Sequence, residues 1–266
     1  MYRFDPHVHT VISSRCGKTA PKEIIAHYKN AGFHGICVTD HFYLGNTSID
    51  KSLPWPDWVH DYCNAYREVK KAGEEAGIDV FFGWETTYDG EDFLIYGLDE
   101  TWLTAHPEIT LADQKRQYEL VQSAGGFVVQ AHPMRERRAT REIRFHPYHC
   151  DAVEIANAGN RPYMDRLALV MAETYGKKVT AGSDFHREVE SRPVIGVECE
   201  KPIRTIFDYR DAVLGGQISL FVPEGRFTSE AFNPILRVFV YDEKNRRTER
   251  PGEILVGAPK AAELYD

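Results

Sequence analysis

The chain has 266 residues, with 32 Lys and Arg against 40 Asp and Glu, for a formal charge of −8 with histidine neutral. Apolar residues at 42% and charged residues at 27% can bury a large core, which excludes a disordered or collagen-like chain. Net acidity disfavours long nucleic acid and anionic bilayers, and no apolar run spans a membrane, so neither is an expected partner and a cytoplasmic location follows by default.

Short β-branched runs alternate with stretches of helical period, the pattern of a parallel sheet with helical crossovers. Strands are expected over residues 3–9, 35–39, 80–85, 93–98, 127–131, 152–156 and 178–182. Between the first two, Pro21 opens a helix carrying Ile24, Ile25, Tyr28 and Ala31 at helical spacing, with Gly32 as its stop. Trp58, Tyr62, Ala65, Tyr66 and Val69 make the next helix, ahead of Gly73 and Gly77. Thr110 and Asp113 resemble a capping box before a helix ending at Gly125 and Gly126, and residues 161–175 and 205–214 complete the helices. The reading is one α/β domain over residues 1–225, with 226–266 as a C-terminal extension packed on it. Within that extension 235–241 alternates like a strand, and 242–250 is charged and turn-prone.

Chemistry collects at the strand ends. His7-Val8-His9 closes the first strand, Thr39-Asp40-His41 the second, Gly83-Trp84-Glu85 the third and Ala131-His132-Pro133 the fifth, while Ser183-Asp184-Phe185-His186 follows the seventh. In a parallel barrel such ends share one rim, and side chains two apart share a face, so these residues are candidate metal ligands. Asp5 has the parity to accept an imidazole N–H of His7 or His9, whereas Asp40 has the opposite parity to His41 and sits behind it. His27, His34, His60, His106, His146 and His149 lie outside this pattern and are read as surface or satisfied core residues. Cys16, Cys37, Cys63, Cys150 and Cys199 include no CxxC pair and are read as reduced thiols.

In this order, the set resembles the polymerase-and-histidinol-phosphatase (PHP) superfamily of metal-dependent phosphoesterases. The resemblance implies a distorted seven-stranded (β/α)7 barrel, TIM-like, with two or three divalent ions: Zn, Mn or Fe, with Mg also possible. It implies His7, His9, His41, His132, Asp184 and His186 as ligands and Glu85 as a bridging carboxylate. The substrate class it implies is a phosphate monoester of a small metabolite.

Two places depart from the family pattern. Where a His or Asp often follows HxH, this chain has Ser13-Ser14-Arg15-Cys16-Gly17. Arg15 cannot ligate a metal, so it is assigned to substrate phosphate, with Cys16 as a soft ligand or loss of the third ion as the alternatives. Beyond Glu85, Asp92 or Asp99 takes the place of a family histidine. Arg135, Arg137 and Arg138, on the loop after His132, are further candidates to grip substrate.

Glu85, Asp184 and one further acid bring about −3, and two or three divalent ions about +4 to +6, an excess that suits a phosphate dianion. Two ions roughly 3.5–4 Å apart would acidify a bridging water into the attacking hydroxide, with His9 or His186 protonating the leaving group. GxSxG, HExxH and a complete phosphate-binding loop are absent. The alternatives are an amidohydrolase-type metal hydrolase, which would want a lysine closing a strand, and a degenerate, non-catalytic PHP module. Oligomeric state is not legible.

Overall fold

The computed structural model describes residues 1–136, 142–189, 192–228 and 237–250. In chain order the elements are β1 (Tyr2–Val8), α1 (Pro21–Asn30), β2 (Gly35–Val38), α2 (Trp55–Ala76), β3 (Asp79–Thr87), β4 (Asp92–Tyr96), α3 (Glu100–Ala105), α4 (Gln114–Ser123) and β5 (Phe127–Ala131). They continue with β6 (Glu142–Phe145), β7 (Ala152–Asn157), α5 (Pro162–Thr174), β8 (Lys178–Gly182), β9 (Gly196–Cys199), α6 (Ile206–Leu214), β10 (Ile218–Phe221), β11 (Arg237–Tyr241) and β12 (Arg247–Arg250).

Nine strands form one sheet in the order β10-β9-β1-β2-β3-β4-β5-β7-β8. The sheet nearly closes, because β8 returns to β1 through a parallel bridge between Val8 and Phe185, where the His9 amide donates to the Phe185 carbonyl at 2.8 Å. All seven expected strands are present, in a distorted barrel. Two differences matter. Two further strands extend the sheet beyond β1, β9 antiparallel to β1 and β10 antiparallel to β9. In addition, β4 is antiparallel to both β3 and β5 instead of parallel to them. A tight turn joins β3 to β4, with the Tyr88 amide donating to the Glu91 carbonyl at 2.8 Å and Gly90 at φ 100°. Asp89-Gly90 is itself a hairpin signal that helical-crossover expectations pass over.

Helix signals hold with one shift of register. Gly77 ends α2 in the left-handed region at φ 75°, as the stop pattern requires. At α4 the cap is Asp113, whose carboxylate accepts from the Arg116 amide at 2.8 Å, while Thr110 Oγ1 donates to the Pro107 carbonyl and makes no capping box. The largest buried cluster packs Phe42, Trp58, Tyr62, Trp84 and Phe93 between α2, β3 and β4. Val238 and Val240 of β11 join it, and β11 lies between β6 and β12 in a second, three-stranded sheet. Residues 247–250 are thus strand where a turn-prone segment was expected. No helix among the described residues is long and apolar enough to cross a membrane.

Candidate metal centre

Strand ends deliver the predicted side chains to one mouth. His7 and His9 are fully buried, Glu85 is 1% and His132 4% exposed, and the side chains of His41 and His186 are 15% and 20% exposed. The ligand atoms form three groups whose members lie within 4.8 Å of one another: His9, His41 and His186; His7, Glu85 and His132; His7, His9 and Asp184. A cavity of about 570 Å³ opens over them, lined also by Cys16, Asp92 and Arg135.

Hydrogen bonds at the back of the imidazoles settle which nitrogen faces the mouth. His7 Nδ1–H donates to Glu154 Oε1 at 2.9 Å, leaving Nε2 as a lone pair. The Ser14 hydroxyl donates to Asp40 Oδ1 at 2.5 Å, so its oxygen accepts from His9 Nδ1–H at 3.2 Å and from the His41 amide at 3.0 Å. His186 Nδ1 donates to the Asp184 carbonyl at 2.8 Å, which bares its Nε2. The bare nitrogens then confront other acceptors. His7 Nε2 lies 3.1 Å from His9 Nε2 and 3.4 Å from both Glu85 Oε1 and Asp184 Oδ1. His41 Nδ1 and Glu85 Oε2 stand 2.7 Å apart, yet neither makes a hydrogen bond.

Lone pairs aimed at lone pairs in a buried pocket repel unless a cation sits among them, so the donor set fits bound divalent ions. The titration of the groups agrees. Burial disfavours charge on His7, but Glu154 and Asp184 pull its affinity for a proton well above the usual histidine value. His41 is raised in the same way by Glu85. Glu85 and Asp184 are held well below the carboxylate range in spite of burial, the first chiefly by His41 and the second by Arg135 and His7. Burial, reinforced by His186 and His41, keeps His9 neutral. At Cys16 burial opposes ionisation, but the adjoining His186 and His41 bring the thiol down to about 6.

Two residues hold the cage in left-handed backbone that non-glycine residues seldom adopt, His132 at φ 28° and Asp184 at φ 52°. Each follows a strand end, where the turn aims the side chain back across the rim. Gly182 supplies the close approach this needs, because a Cβ there would meet Glu154 Oε1 at 2.5 Å and His7 Cβ at 2.7 Å.

Several sequence expectations change. Asp5 does not orient an imidazole; it accepts from the His7 and Ser183 amides and from Tyr28, and burial lifts its pKa to about 6. Glu154 takes that role, and its signal was available as the lone charge in the apolar run Ala152-Val153-Glu154-Ile155-Ala156. Asp92 and Asp99 are separated by the reversed β4. Asp92 begins that strand at the rim, 3.8 Å from His132 Nε2, whereas Asp99 beyond its far end caps α3 by accepting from the Trp102 amide.

Arg15 is exposed and does not line the cavity, whereas its neighbour Cys16 does. Arg135 reaches the site but binds Asp184 Oδ2 at 2.6 Å, and its other nitrogens are held by Asn157 at 2.6 Å and Asn160 at 2.8 Å. Its guanidinium positions a carboxylate of the cage, with three of its five N–H donors engaged in these bonds. Arg137 and Arg138 lie outside the described residues.

Comparisons with known proteins agree with this geometry. The family model described as PHP domain matches residues 5–145, just over half of the chain. Among solved structures, a protein described as a metal-dependent phosphoesterase from Bifidobacterium adolescentis is similar at 16% identity and TM-score 0.52, over 72% of this chain and 90% of its own. A two-domain protein from Bacteroides vulgatus, described as containing a PHP-like metal-dependent phosphoesterase, aligns at 16% identity and TM-score 0.63 over 83% of this chain and 64% of its own. An amidohydrolase from Chromobacterium violaceum, with bound sulfate and no metal, aligns at 16% identity and TM-score 0.51 over 81% and 97%. At such identities the likeness is one of fold. No curated protein matches the chain in sequence.

Proposed function

Because this chain belongs to the PHP domain family, we propose that it is a metal-dependent phosphoesterase acting on a phosphate monoester of a small soluble metabolite. The observation that carries the reading is the convergence of five imidazoles with Glu85, Asp92 and Asp184 on one mouth, their lone pairs facing one another. In this reading they hold two or three divalent ions, with Zn, Mn or Fe suited to the imidazoles and Mg to the carboxylates. Bound ions would lower the pKa of a coordinated water toward about 7 and stabilise charge on the phosphoryl oxygens.

The chain's own groups do the positioning. Glu154 fixes the tautomer of His7, the Ser14–Asp40 pair that of His9, and Arg135 the carboxylate of Asp184. His9, neutral and donating to Ser14, has no spare proton for a leaving group and serves as a nitrogen donor. With Arg15 outside the cavity and Arg135 paired with Asp184, most of the charge of a phosphate dianion would be met by the ions. No lysine lines the cavity among the described residues, which weighs against an amidohydrolase centre bridged by lysine.

The test is a panel of phosphorylated metabolites assayed with added Mn, Zn, Fe or Mg. Metal-dependent release of phosphate is expected, and His132→Ala should lower turnover at least about a hundredfold with the circular dichroism spectrum unchanged. Near-normal activity in that variant would remove His132 from the site, and a loaded protein inert toward every phosphoester would overturn the assignment.

A further inference from the structure

The outer wall of the cage differs chemically from the rest. Cys37, Cys63, Cys150 and Cys199 are buried, while Cys16 is half-buried and lines the cavity. Its Sγ lies 3.1 Å from His186 Nε2, the nitrogen left bare by the bond from Nδ1 to the Asp184 carbonyl. His41 also contacts this sulfur. Next to them are His41 Nδ1 and Glu85 Oε2, two buried atoms without a hydrogen-bond partner, the latter on a side chain 1% exposed. The group of His9, His41 and His186 contains no carboxylate, unlike the other two groups, which include Glu85 or Asp184.

The loop that carries Cys16 is braced on the site. The Lys18 amide donates to the His186 carbonyl at 2.8 Å, and the Arg15 amide to the Asn46 carbonyl at 3.0 Å. Gly17 packs against the Thr10 carbonyl so closely that a Cβ would collide with it. A thiol on a fixed turn, tied by backbone to the histidine it touches, has little conformational freedom to lose on ligation.

We propose that Cys16 is a thiolate donor to a cation held by His41 and His186, making this corner of the centre a sulfur-and-nitrogen position that prefers zinc to magnesium or manganese. This rests on the metal-centre reading above. On binding, the S–H bond breaks and its proton leaves to solvent as the sulfur–metal bond forms. Thiolate is a soft donor and magnesium takes hard oxygen ligands, so the donor set, not the fold, sets the preference.

Full-length protein is stripped of metal and reloaded with cobalt(II) or zinc, beside Cys16→Ser and Cys16→Asp, with circular dichroism as the folding control. The expected result is a near-ultraviolet sulfur-to-cobalt charge-transfer band in the parent protein that both variants lose, while visible cobalt absorption from the remaining ions persists. Zinc content should fall by about one equivalent in Cys16→Ser, and Cys16→Asp should shift the zinc-over-manganese preference by at least about tenfold. Cobalt bound without that band in the parent protein, or a band that survives in the variants, overturns the thiolate alone. Failure of the parent protein to retain any metal overturns the metal centre and the thiolate with it.

Discussion

Two buried groups of histidine and carboxylate among the described residues behave oppositely. At the rim, Glu85 Oε2 has no hydrogen-bond donor, and the imidazoles of His7 and His9 turn bare nitrogens on each other. Beneath β11, His146 Nε2 donates to Glu91 Oε1 at 3.2 Å, and the same carboxylate is held by Gln114 at 2.5 Å and Arg144 at 3.3 Å. The His146 ring stacks on Tyr241 with centroids 3.9 Å apart. His146 Nδ1 and both nitrogens of His149 lack partners too, but among the described residues they meet no third ligand within a cation's reach. Convergence of acceptors, and not the number of histidines, marks the site that asks for positive charge.

The largest test of that contrast is Glu85→Gln, which removes the carboxylate shared by His7, His41 and His132. Bound metal by elemental analysis and phosphoester turnover should both fall, turnover by more than about a hundredfold. Unchanged metal content would place Glu85 outside the centre. Glu154→Gln sharpens the comparison one layer out: titration calorimetry should show metal affinity about 10- to 100-fold weaker, and an unaltered affinity would mean that something other than Glu154 fixes His7.

His146→Ala probes the other side. Metal content should not change, while calorimetric stability drops by about 1–3 kcal/mol through the unpaired polar groups left behind. Loss of metal in this variant would erase the distinction between the two clusters.

The smallest effect concerns Asp165, at the end of the bonded series from Asp184 through Arg135 and Asn160. Burial outweighs the pull of Arg226 and raises its pKa from 3.8 to about 6. A raised folded-state pKa means the native state holds the proton more tightly, so this group's contribution to stability declines as pH rises through that window. Asp165→Asn should flatten the slope of denaturation free energy between about pH 4 and pH 6 and leave bound metal intact. An unchanged slope would assign that pH dependence elsewhere.

The backbone of the site was legible from residue order alone. Alternating β-branched runs and helical periods announced the barrel, and polar residues closing successive strands announced the rim, because a strand's end and its side-chain parity are local properties. Cys16 and Arg15 were visible as a departure from the family pattern, but adjacency in the chain does not say which of two neighbouring side chains turns inward.

What the chain could not announce depends on pairing between distant segments. The direction of β4 separates Asp92 from Asp99, the passage of Gly182 across β1 lets Glu154 rather than Asp5 reach the His7 imidazole, and Arg135 pairs with Asp184. Local sequence determines which groups stand at each strand end. Only the closed sheet decides which of their lone pairs meet, because that is a matter of distances across the barrel and of the hydrogen bonds left over once every strand is in place.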